Sequence, residues 1–272
     1  MHSCGNDYIF LENFHGEITC PESLCVNFCD RHFSIGADGI VLMEKSQKAD
    51  ARMRMFNADG SEGHMAGNAL RCMGKYLHDK GMVKGDTVTI ETDKGVKTVE
   101  LYITNGEVTS ACVDMGYATL DTTALNLNFP TREVVNYPIT VGGEEYAVTC
   151  VDVGNPHCVV FCDRVDPIDV PAIGPLFEHA EYFPERTNTE FIRVVNSGTI
   201  KMRVWERGSG ETMACGSGAC AAVAAAVRNG LCEKGRDITV KVRGGDLVVN
   251  YTDEKVTLTG ETKLVYEGVV EY

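Results

Sequence analysis

Two stretches of the chain alternate apolar and polar residues with a period of two and then switch to helical spacing. In the first, Met53 and Met55 alternate with Arg52 and Arg54; in the second, Met202 and Val204 alternate with Lys201 and Arg203. Each pattern predicts a strand with one buried face. Each is followed by a polar, glycine-containing turn and then a helix, from Asn68 to about Lys80 and from Ser217 to about Arg228, with Gly81 and Gly230 placed as C-terminal caps. The second helix, GACAAVAAAV, is small and apolar on all sides, the pattern of a helix enclosed by sheet. The first carries Leu70, Met73 and Leu77 at helical spacing.

The two stretches align without gaps at an offset of 149 residues, which matches Arg54 to Arg203, Phe56 to Trp205, Glu62 to Glu211 and Gly67 to Gly216. Ala66 falls opposite Cys215. Further short strands are predicted at 87–92, 97–103, 107–114, 146–151, 158–161, 238–242, 247–251 and 255–259, with a hairpin signal at Thr104-Asn-Gly106. Strand-rich halves with one or two helices each predict an α+β chain of two pseudo-symmetric domains, each a curved sheet around a central helix. The expected split lies near residues 115–120, giving domains 1–117 and 118–262, the first completed by a C-terminal strand at 263–272. No glycine-rich nucleotide-binding loop occurs.

Charge narrows the partners. A net charge of −14 over 272 residues argues against nucleic acid or an anionic membrane, both of which need a basic footprint. No segment resembles a signal peptide or a membrane helix, and twelve irregularly spaced cysteines without a C-x-x-C pair predict reduced thiols in the cytoplasm. Cys25, Cys29 and His32 have the spacing of helix neighbours. They are expected, with Phe28 and Phe33, on the buried face of a short helix that Pro21 starts; metal ligation is the alternative.

Cys215 stands directly before Gly-Ser-Gly and a helix. A helix N-terminus offers free N–H groups and a positive dipole end, which lower a thiol's pKa toward neutrality and also bind a carboxylate. A base beside an anion cradle suits chemistry on an α-amino or α-hydroxy acid. Alone, such a cysteine is more often one more small buried residue. Two such cradles facing one carbon would meet the demand of racemisation, in which one group removes the α-proton and another returns one from the opposite face.

The motifs His2-Ser-Cys-Gly-Asn6-Asp7, Arg31-His-Phe-Ser-Ile-Gly-Ala-Asp38-Gly39, Asn57-Ala-Asp-Gly-Ser-Glu62, Gly67-Asn68, Gly154-Asn155-Pro-His157, Thr187-Asn188 and Glu206-Arg-Gly-Ser-Gly-Glu-Thr-Met-Ala-Cys215-Gly-Ser-Gly run in order along the chain. Together they resemble the diaminopimelate epimerase family. The resemblance implies interconversion of L,L- and meso-diaminopimelate, in lysine and peptidoglycan biosynthesis, by two thiols acting as acid and base, without metal or other cofactor. It implies Cys215 as one thiol, His157 and Glu206 as residues tuning the thiols, and Asn6, Asn57, Asn155, Asn188, Glu206 and Arg207 as substrate-holding side chains. Gly67-Asn68 and Gly216-Ser217 match the backbone cradles, and Gly39 lies where some members use Gln. A homodimer is implied as well, although no residue in the sequence marks it.

One departure matters most. Where the family pattern has its other cysteine, before Gly67-Asn68, the chain has Ala66, and a methyl group carries no proton. Cys72 lies six residues along the same helix, about 9 Å away at ~1.5 Å per residue, and His64 lies two residues upstream. The expectation is a retained ligand cradle with epimerisation disabled. A racemase of another amino acid such as histidine, and a non-catalytic amino-acid-binding protein, stand as alternatives.

Overall fold

Alternating strands and two helix starts account for most of the backbone. The computed structural model describes residues 1–63 and 66–271. The chain divides into two compact units, one of Met1–Asp114 with Thr259–Tyr272, the other of Met115–Leu258.

In the first unit the order is β1 (His2–Ser3), β2 (Asn6–Glu12), α1 (Pro21–Phe28), β3 (Gly39–Glu44), β4 (Ala51–Asn57), β5 (Glu62–Gly63), α2 (Gly67–Asp79), β6 (Thr87–Thr92), β7 (Gly95–Thr104) and β8 (Glu107–Gly116), the last reaching the unit's edge. Strand β2 runs parallel to β3, and β3 antiparallel to β4. Helix α2 packs against β1, β6 and β7. The hairpin expected at residues 104–106 joins β7 to β8, with Thr104 paired to Glu107.

The second unit holds β9 (Tyr137–Val141), β10 (Glu144–Asp152), β11 (Pro156–Phe161), α3 (Val170–Glu178), β12 (Asn188–Asn196), β13 (Thr199–Glu206), β14 (Gly210–Glu211), α4 (Gly216–Arg228), β15 (Asp237–Val242) and β16 (Gly245–Tyr251), followed by β17 (Val256–Glu261). Helix α4 touches β10 to β13, β15 and β16, and its residues from Gly218 to Ala226 are buried. Residues this small let the surrounding strands approach the helix closely. Phe177 of α3 meets Phe191 of β12 edge to face at 5.5 Å, so α3 seals the other side of that sheet.

The repeat is visible in the strand register. Tyr8 pairs with Gly39 as His157 pairs with Asn188; Ile40 pairs with Phe56 as Thr189 with Trp205; Phe56 pairs with Glu62 as Trp205 with Glu211. Each correspondence carries the 149-residue offset seen in the motifs, and α1 and α3, and α2 and α4, start at positions related by it. The ion pair Arg54–Glu62 at 2.7 Å recurs as Arg203–Glu211 at 2.8 Å.

Two expectations fail. Cys25, Cys29 and Phe28 are buried, but Phe33 is 91% exposed and His32 is exposed too. The helix stops at Phe28, and Asp30 turns the chain outward by accepting the N–H groups of His32 and Phe33. Among the described residues no strand forms after Glu261: Lys263 bridges to His2, and 264–271 run without strand pairing, with Leu264, Val265, Tyr266 and Val269 exposed. No helix among the described residues is long and apolar enough to cross a membrane.

Candidate active site

Three adjacent strands and one helix start bring the candidate reactive side chains of the second unit together. His157 sits near the start of β11, Glu190 on β12 and Glu206 at the end of β13; the turn through β14 then returns the chain to Cys215, the N-cap of α4. Cys215 has extended backbone, φ −120° and ψ 114°, and its Sγ accepts the N–H of Gly218 at 3.3 Å. Ser217 Oγ lies 3.5 Å from the same sulfur. Glu206 is half-buried, and its Oε1 accepts a hydrogen bond from Thr212 Oγ1. His157 is buried with Nδ1 2.7 Å from Glu190 Oε1 and Nε2 3.1 Å from Asn155 Oδ1.

A helix end alone predicts an acidified thiol. Here burial comes first and pushes the Cys215 thiol well above its ordinary value, and the carboxylates of Glu206 and Glu190 push the same way. Ser217 and the Gly218 N–H oppose them without prevailing. The expectation of a pKa near neutrality is thereby reversed, because loss of water around the sulfur, reinforced by two acidic groups from neighbouring strands, outweighs the hydrogen bonds at the helix start. Burial also raises the Glu206 carboxyl, against hydrogen bonds from Thr212 and Cys215 and the attraction of His157.

Asn155, Asn188 and Arg207 flank this group. Asn188 is 5% exposed and has both ends of its amide engaged: Nδ2 donates to the Pro156 carbonyl at 2.8 Å, and Oδ1 accepts the Arg207 N–H at 3.0 Å. It therefore fixes the turn that carries Arg207. The Arg207 guanidinium is exposed and donates to the Glu185 carbonyl at 3.0 Å.

The first unit builds a polar chain around the equivalent helix start. Asn68 donates to Asn6 Oδ1 at 3.1 Å, Asn6 donates to Asp38 at 2.8 Å, and Arg31 bridges Asp38 and Asp7. Beneath them Arg71, fully buried on α2, donates to Ser3 at 2.7 Å and to Asn68. Asn57 is exposed and donates to Ser61 at 3.0 Å. Ala66 is the N-cap of α2 and offers no side-chain acceptor to the helix N-terminus. Cys72 is fully buried, and burial holds its thiol up at about 12, so it is a poor substitute for a thiol at position 66. His64 lies with Met65 outside the described residues.

Gly39 has a packing reason of its own. A Cβ there would lie 2.2 Å from the Phe56 carbonyl oxygen, within the paired strands β3 and β4. Glu190 is the functional candidate that sequence reasoning missed. The repeat held a signal for it, since the residue 149 positions earlier is Val41.

Residues 1–120 and 149–265 match the family model described as diaminopimelate epimerase. The chain belongs to the diaminopimelate epimerase family. A diaminopimelate epimerase from Desulfovibrio desulfuricans is 46% identical over 98% of this chain and 96% of the relative. One from Acetivibrio thermocellus is 44% identical over 100% and 97%. Among solved structures, a hydroxyproline epimerase from Agrobacterium vitis shares the fold, with TM-score 0.68 at 14% identity over 95% of this chain and 87% of that one. A phenazine biosynthesis protein from Enterococcus faecalis does so at TM-score 0.64 and 16% identity, over 95% and 89%. As a member of the diaminopimelate epimerase family the chain is an isomerase of the epimerase class.

Proposed function

We propose that the site handles diaminopimelate, and that Cys215 exchanges the proton of one α-carbon from one face while inversion fails for want of a group at position 66. The reading is carried by one observation: Cys215 caps α4 with its sulfur on the Gly218 N–H, beside Glu206 and Glu190, in a member of this family. Free N–H groups at the start of α4 suit the substrate carboxylate, which gains charge as the α-proton leaves. Cys215 rests as the neutral thiol, ready to donate; the ammonium of an arriving amino acid offsets the two carboxylates and favours the thiolate needed to abstract.

In this reading His157 and Glu206 set the charge around Cys215. Asn155 and Arg207 orient the ligand, Arg207 by pairing with the distal carboxylate of a diacid. Asn188 acts through the turn it holds, and Gly39 through strand packing.

The test compares the chain with its Ala66→Cys variant on L,L- and meso-diaminopimelate in deuterated water. The parent should wash deuterium into one isomer with retention and give no net epimerisation, and the variant should interconvert both. Ordinary epimerase turnover by the parent, or activity of the variant on histidine but not diaminopimelate, overturns the proposal. Calorimetric titration of the parent with both isomers tests retained binding.

A further inference from the structure

The most deeply buried acid of the second unit is Glu190. It is 0% exposed on β12, its Oε1 lies 2.7 Å from His157 Nδ1, and its Oε2 has no hydrogen-bond partner among the described residues. A carboxyl stripped of water with one oxygen unsatisfied is costly to fold. The strand does not require it. At the equivalent register position β3 carries Val41, also 0% exposed: Val41 pairs with Met55 as Glu190 pairs with Val204. One copy of the repeat holds an aliphatic residue there and the other a carboxyl, and the copy with the carboxyl is the copy with the thiol.

Its surroundings connect it to Cys215. A Cβ built on Gly218 would lie 2.6 Å from Glu190 Oε1 and 3.2 Å from Cys215 Sγ, so carboxyl and thiol border the same small space. His157 reaches Glu190 from β11, Glu206 stands at the end of β13, and Cys215 stands at the start of α4. On β10, Val151 is the register partner of His157, and Asp152 beyond it is turned to the Gly154 N–H at 2.7 Å. Among the described residues, the titratable side chain within hydrogen-bonding distance of Glu190 is His157.

We propose that Glu190 is a positioning residue for reaction at Cys215: it accepts the Nδ1–H of His157, fixing the ring's orientation and tautomer with Nε2 turned to Asn155. The Asn155 amide can rotate to present oxygen or nitrogen, so it serves Nε2 with or without a proton. An imidazole held from behind by a carboxylate is the usual device for keeping one ring nitrogen aimed at a task. The role in turnover rests on the proposed chemistry of Cys215; the His157–Glu190 hydrogen bond does not.

The experiment has two arms. The first follows the His157 ring by ¹⁵N-labelled histidine NMR, with His157→Gln identifying its signals. A low-field, hydrogen-bonded Nδ1–H resonance should appear in the parent, move upfield in Glu190→Gln and vanish in Glu190→Val, a substitution the fold already tolerates at Val41. The second arm uses the Ala66→Cys protein. There Glu190→Gln should lower kcat by about ten-fold or more with little change in KM, and adding His157→Gln should slow it no further than the slower single variant. An Nδ1–H resonance indifferent to Glu190→Gln overturns the proposal, and so do losses that multiply in the double variant. Failure of Ala66→Cys to epimerise diaminopimelate overturns the functional reading instead, and the NMR arm still decides the role of Glu190 in holding His157.

Discussion

Ala66 and Cys215 occupy the same station in the two copies of the fold. Each is the N-cap of a thirteen-residue helix, with φ −121° and ψ 123° at Ala66 and φ −120° and ψ 114° at Cys215. Backbone and helix length are shared. The sulfur atom, which caps one helix and is missing from the other, is what separates them.

That difference has a stability consequence. A Ser at position 66 places an oxygen where Cys215 places its sulfur, within reach of the N–H three residues on. Ala66→Ser should therefore stabilise the protein by about 1 kcal/mol, the usual worth of an N-cap. Denaturant unfolding monitored by circular dichroism measures this, and an unchanged midpoint would mean the helix start is already satisfied by other means.

Gly218 is the second position where small size matters. A methyl group there meets Glu190 and the Cys215 sulfur within 2.6 Å and 3.2 Å, in a buried site that cannot open cheaply. Gly218→Ala should cost about 1–3 kcal/mol and change the rate at which iodoacetamide labels Cys215. Parent-like stability and labelling together would show that the two side chains have room to withdraw.

Gly39 makes a sharper case. Its missing Cβ would sit 2.2 Å from a carbonyl of the neighbouring strand, a contact that side-chain motion cannot relieve. Gly39→Gln should destabilise this chain by roughly 2–3 kcal/mol or more. A neutral effect on the thermal midpoint would show that β3 can move off β4 without loss.

The Glu206 carboxyl gives a pH signature. Burial raises it, so the unfolded chain releases this proton at the ordinary carboxylate value and the folded chain only at higher pH. Within that window the folded state binds the extra proton. The stability linked to Glu206 is thus fully present below the unfolded value and is lost as pH rises through the folded one. Glu206→Gln should remove this slope, so that its stability relative to the parent climbs with pH and then levels off. Denaturation series from about pH 4 to 8 provide the test; parallel curves for the two proteins would exclude the effect.

Much of the fold could be read from the chain alone, for a physical reason. Alternation of period two, glycine at helix ends and small residues along GACAAVAAAV are local constraints, so strands and helices fall close to where the pattern puts them: 87–92 is a strand to the residue, and α2 and α4 begin one residue earlier than expected. The offset of 149 is likewise a property of the sequence, and it identifies Ala66 as the partner position of Cys215 without any coordinates. Phe33 faces solvent because Asp30, three residues upstream, caps the turn, a local contact that apolar spacing does not encode. Two features were decided by tertiary structure. The Cys215 thiol is pushed up because the packed unit removes its water and β12 and β13 bring Glu190 and Glu206 to its side. Glu190 itself, one acid in the run Asn188-Thr-Glu-Phe-Ile192, looks like any strand residue until β11 supplies His157 at 2.7 Å. Local pattern specifies the elements and where they start, whereas the electrostatics of a buried group depend on which other elements close over it.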